Sequence, residues 1–386
     1  MASIADGQRK LEEEADAAAA AGDYARALNL LEQAAEEQAH SPELWMKLTA
    51  MRRTTGDMKG ALKAVERALA LGPLDFSALL SRAMLLERLG EPSAGEAFGH
   101  AIAQAPPDER VPAAMAKAVD HARRMAAEHQ KSVEARLGAA IPEGLGPRER
   151  GRVERFVSNA SRRTRHFHQE PTDFHYPGLP EIEFHDRALF PELDSIEAQT
   201  AVIRAEFEAL IAAEAAEMVP YIQYPEHVPL AQWRELNKNR DWTAIHLLQN
   251  GEPVPANAGH CPATMAALSK LPQPHIRGAS PNAMFSLLAP RTRIPPHTGV
   301  ANTRLVCHLP MIVPPGCGFR VGATTRDWDV GKAFVFDDTI EHEAWNDSGE
   351  LRVVMIFDLW PPALGAAERE AVAAVIGAAG VSFKGA

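Results

Sequence analysis

His297 and His342 stand forty-five positions apart in a stretch that otherwise reads as short strands, and Arg352 follows ten residues later. Two imidazoles on one rigid β scaffold, with a cation set behind them, suit a borderline metal together with an anionic co-substrate. That is the chemistry of a non-haem Fe(II) oxygenase. Its usual ligand set is His-x-Asp/Glu plus a distal His, leaving positions open for substrate and O2. The slot for the carboxylate is filled here by Gly299.

The scaffold that must position these groups begins near residue 170, where the Pro-rich, aromatic run QEPTDFHYPGLPEIEFHD changes the texture of the chain. A helix is predicted over 196–217 and a short one over 261–272. Strands are predicted over 239–254 (closing on an Asn-Gly turn), 284–289, 303–313, 318–321, 332–337 and 352–360. Short strands at this spacing point to an antiparallel sandwich or barrel, whose inner face can hold a buried site. Alternation places Arg304, Val306 and His308 on one face and Leu305, Cys307, Leu309 and Met311 on the other. The faces carrying His308 and Arg352 are expected to point inward. A buried Arg352 needs an anion. A dicarboxylate meets the need with bidentate geometry, and a core carboxylate such as Asp337 or Asp358 meets it equally well. Asp337 and Asp338 are read either as partners fixing the tautomer of His342 or as a turn in FDDT. Trp242, Trp328 and Trp345 read as core or pocket wall, and His246 is placed at the pocket with Trp242. His166, His168, His175 and His185 fit no standard zinc spacing and read as surface or packing residues.

The first third has a different grammar. Gly22, Gly56 and Gly90 recur at a period of 34, the length of a tetratricopeptide unit. Segments 17–38, 52–73 and 85–107 superimpose in that frame, each with a Gly closing a first helix. A glycine suits that turn because it tolerates the left-handed backbone. The third unit is the most degenerate, with Pro92 and Gly95 at helix positions, and reads as a cap. Helix is predicted to continue over 108–140 and again over 148–167. Repeats of this kind offer a surface to a protein partner.

Composition excludes several classes. Forty basic residues against 51 acidic give a net charge of −11, without the basic stripe that nucleic-acid binding uses. The apolar run at 370–383 is too short for a membrane span, and the N-terminus lacks the order of a signal peptide. Three cysteines, Cys261, Cys307 and Cys317, form no CxxC pair, which suits a reducing, cytoplasmic setting.

The motifs PHTGVANTRLVCHLP, RDWDVGKAFVFDDTIEHEAWND and RVVMIFDLW resemble the aspartyl/asparaginyl β-hydroxylase family of Fe(II)/2-oxoglutarate-dependent oxygenases, over about residues 170–362. The resemblance implies an α+β multidomain chain: tetratricopeptide-like repeats at 1–107, a helical linker at 108–169, and a double-stranded β-helix (jelly-roll, cupin-like) domain with a C-terminal helix at 170–386. It implies His297 and His342 as iron ligands. Arg352 and Ser286 would hold the distal carboxylate of 2-oxoglutarate, with His308 near its other end and Arg304 lining the pocket. The family lacks the carboxylate ligand, so Gly299 is expected. One departure stands out: the family's animal members carry a second Arg where this chain has Val306. The implied activity is hydroxylation of an unactivated C–H bond, with O2 and a peptide, protein or amino-acid-like small molecule as substrates. A halogenase, in which halide takes the carboxylate position, and a repeat-based adaptor with an inactive β domain are the competing readings.

Overall fold

The computed structural model describes residues 2–37, 40–225, 227 and 233–380. The chain divides into two compact units, 1–164 and 165–386.

The first unit is a run of helical hairpins: α1 (Ala2–Ala20) with α2 (Tyr24–Glu37), α3 (Pro42–Thr54) with α4 (Met58–Leu71), and α5 (Phe76–Arg88) with α6 (Ala94–Ala103). Gly22, Gly56 and Gly90 occupy the three equivalent turns with φ of +82°, +88° and +71°. An L side chain pays for that backbone conformation and glycine does not. Side-chain caps start several helices: Ser41 Oγ accepts from Leu44 N at 3.2 Å, and Asp75 Oδ1 from Ala78 N at 2.7 Å. Buried alanines such as Ala61, Ala64 and Ala68 let neighbouring helices approach closely. Two more helices follow, α7 (Ala116–Ala139) and α8 (Pro147–Ala160). The helix predicted from residue 108 begins instead at Ala116. Pro107 and Pro112 restrict the backbone, so 108–115 forms two short 3-10 turns.

In the second unit the single helix predicted over 196–217 is broken into α9 (Leu193–Glu197) and α10 (Thr200–Ala212), followed by the short α11 (Pro255–Ala258) and α12 (Pro262–Leu268) and the late α13 (Ala366–Ala379). The strands are β1 (Val219–Pro220), β2 (Trp242–Gln249), β3 (Glu252–Pro253), β4 (Ala283–Leu288), β5 (Thr292–His297), β6 (Leu305–Ile312), β7 (Cys317–Val321), β8 (Thr324–Arg326), β9 (Phe334–Phe336), β10 (His342–Asn346) and β11 (Arg352–Leu359). They form two antiparallel sheets, ordered β1-β2-β4-β11-β6-β9 (with β3 on β2) and β5-β10-β7-β8. Strands that pass back and forth between two facing sheets in this order make a double-stranded β-helix.

The two faces of the larger sheet do different jobs. Leu305, Cys307, Leu309 and Met311 of β6, with Val353, Met355, Phe357 and Leu359 of β11, form a core with Ile203, Phe207 and Leu210 of α10. The opposite face, with Val306, Phe334 and Phe336, packs on Phe319, Val321 and Ala344 of the smaller sheet. Period-two alternation therefore separates a helix-covered core from an inter-sheet space.

Candidate active site

A cavity of about 150 Å³ opens between the sheets. Its wall includes Trp242, Ser286, His297, Arg304, Val306, His308, Asp338, His342 and Arg352, nine of the ten site residues expected from sequence. The exception is His246. It lies farther along β2, opposite Met284 and just before a register shift, and does not line the cavity. The pocket assignment for His246 is therefore corrected.

His297 ends β5 and His342 begins β10, and the two are direct partners across the antiparallel ladder. Their ring centroids are 4.0 Å apart. β5 contains Pro295 and Pro296, which an edge strand tolerates because one of its sides carries no ladder. His297 Nδ1 lies 2.8 Å from the Pro295 carbonyl oxygen, and His342 Nδ1 lies 3.1 Å from that of Ile340. A ring that donates Nδ1–H to a carbonyl keeps its lone pair on Nε2. Burial pushes the His297 pKa down to about 4 and that of His342 well below its ordinary value, so both rings are neutral at pH 7. Two neutral, oriented imidazoles are suitable donors for Fe(II).

This geometry bears on the two readings of FDDT, tautomer partners or a turn. The Ile340 carbonyl orients His342, and neither aspartate side chain does. Asp337 accepts from Thr339 N at 3.0 Å and Thr339 Oγ1 at 2.6 Å, so it shapes the turn. Asp338 Oδ2 lies 3.1 Å from Arg304, whose guanidinium also faces Asp358 at 3.5 Å. Asp358 is held by Ser280 Oγ at 2.7 Å and Asn282 N at 2.8 Å. All three charged groups are buried. Such a cluster persists only if each charge has a partner.

Arg352 contrasts with Arg304. It is 2% exposed, and among the described residues no carboxylate lies within 4.0 Å of it. Its Nη2 has no hydrogen-bond partner, and burial lowers its pKa to about 10. Of the two ways to satisfy Arg352, the core carboxylates are thus committed elsewhere. Ser286 is one diagonal step away, opposite Val354 on the neighbouring strand. Its Oγ accepts from Trp242 Nε1 at 3.1 Å, which leaves the hydroxyl proton for another acceptor. Trp328 stands 5.4 Å from Arg352 and stacks on His308 with centroids 5.6 Å apart and a 9° tilt. Burial and the Arg352 charge hold His308 neutral, and its Nδ1 has no partner.

Several wall residues escaped the sequence reading. Tyr221 stacks on Trp242 at 3.9 Å, and Trp233 meets His297 edge-on at 4.9 Å. Both come from irregular backbone where no periodicity marks a side. Phe336 could have been assigned to the wall by extending the alternation of β9, as the alternation of β11 places Asp358 on the inward face with Arg352.

The order of groups on this scaffold agrees with the comparison to known proteins: residues 197–362 match the Aspartyl/Asparaginyl beta-hydroxylase family, and residues 18–77 match a tetratricopeptide repeat. The β domain is the part of the chain that matches the aspartyl/asparaginyl β-hydroxylase family. Human aspartate beta-hydroxylase domain-containing protein 2 is 32% identical over 210 residues, covering 53% of this chain and 54% of that protein. Human aspartyl/asparaginyl beta-hydroxylase is 33% identical over 148 residues, 38% of this chain and 19% of the other. The ornithine lipid ester-linked acyl 2-hydroxylase of Rhizobium tropici is 32% identical over 196 residues, 50% of this chain and 66% of that enzyme. The chain spans about half the length of the domain-containing protein 2 relatives it matches. Among the described residues, no helix is long and apolar enough to cross a membrane.

Proposed function

We propose that the β domain is an Fe(II)- and 2-oxoglutarate-dependent dioxygenase that hydroxylates an unactivated C–H bond. One observation carries this reading: a buried guanidinium without a carboxylate partner faces the same cavity as a cross-strand pair of neutral histidines. His297 and His342 would hold the iron through Nε2. The bound group supplies O2 activation coupled to oxidative decarboxylation of 2-oxoglutarate to succinate and CO2, with one oxygen atom passing to the substrate.

The chain's own residues do the rest. Arg352 and the Ser286 hydroxyl bind the distal carboxylate, and the low-dielectric wall strengthens that contact. Trp242 fixes the Ser286 oxygen so that its proton points away from the indole. The aromatic lining excludes bulk water. His308 presents an uncharged polar edge at the site, since its positive form is suppressed by burial and by Arg352.

The substrate is a peptide or protein side chain, or an amino-acid-like small molecule, whose reacting end is neutral or cationic. With Arg352 engaged and Arg304 set between Asp338 and Asp358, the described cavity wall has no further cation for an acidic group. Val306 adds apolar surface at that wall. An acyl ester, of the kind in the Rhizobium tropici enzyme's name, falls in the same charge class. Three free thiols suit a cytoplasmic location, and the repeats present a surface for a protein partner.

The test is succinate release by the full chain, followed with neutral peptides, Asp-containing peptides and acyl esters, and a product heavier by one oxygen. His297→Ala and His342→Ala should each abolish iron binding and turnover. An inactive adaptor would release no succinate with any substrate, and a halogenase would require chloride.

A further inference from the structure

The entry segment of the β domain brings two histidines and a carboxylate together outside the cavity. His166 and His168 are two residues apart on extended backbone, so both side chains leave on one face. Phe167 leaves on the other, beneath the guanidinium of Arg165 at 4.3 Å. The third group, Glu181, arrives from a loop thirteen residues beyond His168. His166 Nδ1 is 3.1 Å from His168 Nε2, and Glu181 Oε2 is 3.4 Å from His166 Nε2 and 3.2 Å from His168 Nδ1. One ligand atom from each of the three lies within 4.8 Å of the others. None of the three lines the cavity.

We propose that His166, His168 and Glu181 form a zinc site, separate from the catalytic pair, that clamps the entry segment to the domain. The donor set is two imidazoles and a carboxylate, a combination zinc accepts with water as fourth ligand. Zn–N and Zn–O distances of about 2.0–2.2 Å place tetrahedral ligand atoms roughly 3.3–3.5 Å apart, and one ligand atom from each of the three exposed side chains already lies within 4.8 Å of the others, so small side-chain rotations reach that spacing. A half-turn of either imidazole chooses which nitrogen faces the ion. Glu181 is also prearranged, because the Gln169 main-chain N–H donates to its other oxygen, Oε1, at 3.0 Å. Sequence spacing hid the site: the His-x-His pair is visible, but its third member is fixed only by the fold.

The position gives the ion a consequence. Gln169 is bridged to Ile340 in antiparallel fashion, and Glu170 N donates to the Thr339 carbonyl at 2.8 Å. Gln169 also donates to Asp337 and accepts from Asn302 Nδ2 at 2.9 Å. Ile340 is the residue whose carbonyl orients His342. An ion joining 166, 168 and 181 therefore pins the segment that braces the 337–342 turn.

The experiment uses the untagged full chain carrying His297→Ala/His342→Ala, so that the cavity pair cannot report. After chelator treatment it is titrated with zinc alone by calorimetry, and thermal unfolding is followed with and without zinc. One equivalent of zinc should bind and raise Tm by mass action on the folded state. Adding His166→Ala/His168→Ala should remove that equivalent and the Tm rise. Glu181→Gln, which keeps an oxygen for the Gln169 N–H, should weaken zinc at least tenfold. The same folded content by circular dichroism in all variants separates lost binding from lost folding. Zinc uptake unchanged by the His166/His168 substitutions, or no uptake by the starting variant, overturns the proposal. Because the cavity pair is absent throughout, the result does not depend on the dioxygenase reading.

Discussion

The Asp338 carboxylate fills the space that a side chain at residue 299 would need. A Cβ built on Gly299 would lie 2.8 Å from Asp338 Oδ1 and closer still to Cγ and Oδ2. Arg304 holds that carboxylate at 3.1 Å, so it cannot swing aside without leaving a buried guanidinium short of a partner. Gly299→Ala should therefore destabilise the fold by about 1–3 kcal/mol, the usual range for overpacking. Gly299→Asp should not restore a third ligand and should lower turnover. Urea unfolding of Gly299→Ala alone and combined with Asp338→Ala reads the steric coupling. Simple additivity of the two changes would sink this account.

Arg352→Ala should raise the apparent 2-oxoglutarate constant roughly thirty-fold or more, matching about 2–5 kcal/mol for a buried charge left unpaired. Iron binding should persist, since Arg352 is no ligand. Equilibrium binding of metal and of co-substrate, measured separately, checks the split. Loss of both together would place Arg352 in a structural role.

Val306→Arg would place a second uncompensated cation on the face shared by Arg304 and His308. Turnover of the native substrate should fall, and acceptance of Asp-containing peptides should rise relative to neutral ones. If native turnover is kept while strong activity on acidic peptides appears, the substrate lies against another wall.

Acid should destabilise the metal-free protein. His297 and His185 have folded pKa values pushed by burial from 6.5 to about 4, and His308 and His342 shift the same way. Between pH 6.5 and 4 the unfolded chain binds more protons at these groups, so stability falls as pH falls. One such histidine contributes up to roughly 3 kcal/mol. Asp338 opposes this, because burial raises its pKa from 3.8 to about 6 and the folded state gains its proton first. His246 shifts with the other histidines and Asp337 with Asp338, and five histidines outweigh two aspartates, so the urea midpoint should drop across that window. A flat profile would contradict the buried, neutral state of the rings.

The sequence carried the architecture where side chains alternate or repeat. Residues 304–311 and 352–359 sorted themselves into a pocket face and a helix-covered face, and the 34-residue glycine period marked three helix turns. β5 was not legible as a strand, because Pro295 and Pro296 argue against one unless the strand is known to be an edge. The partners of charged residues were equally hidden. That Asp358 serves Arg304 and leaves Arg352 open depends on the register of β6 on β11, which sets Asp358 opposite Val306, near Arg304 and at the far end of the strand from Arg352. The misplaced His246 shares its strand with Trp242, but at its level the cavity wall is formed by its cross-strand partner Met284.

The division of the site between the sheets has a thermodynamic consequence. His297 and His342 belong to the four-stranded layer, whereas Ser286 and Arg352 belong to the larger one. A molecule that reaches from the imidazoles to the guanidinium is a rivet through both layers. On the proposed reading a metal and a dicarboxylate bound there would each tighten the seat of the other, and by reciprocity each would gain as much as it gives.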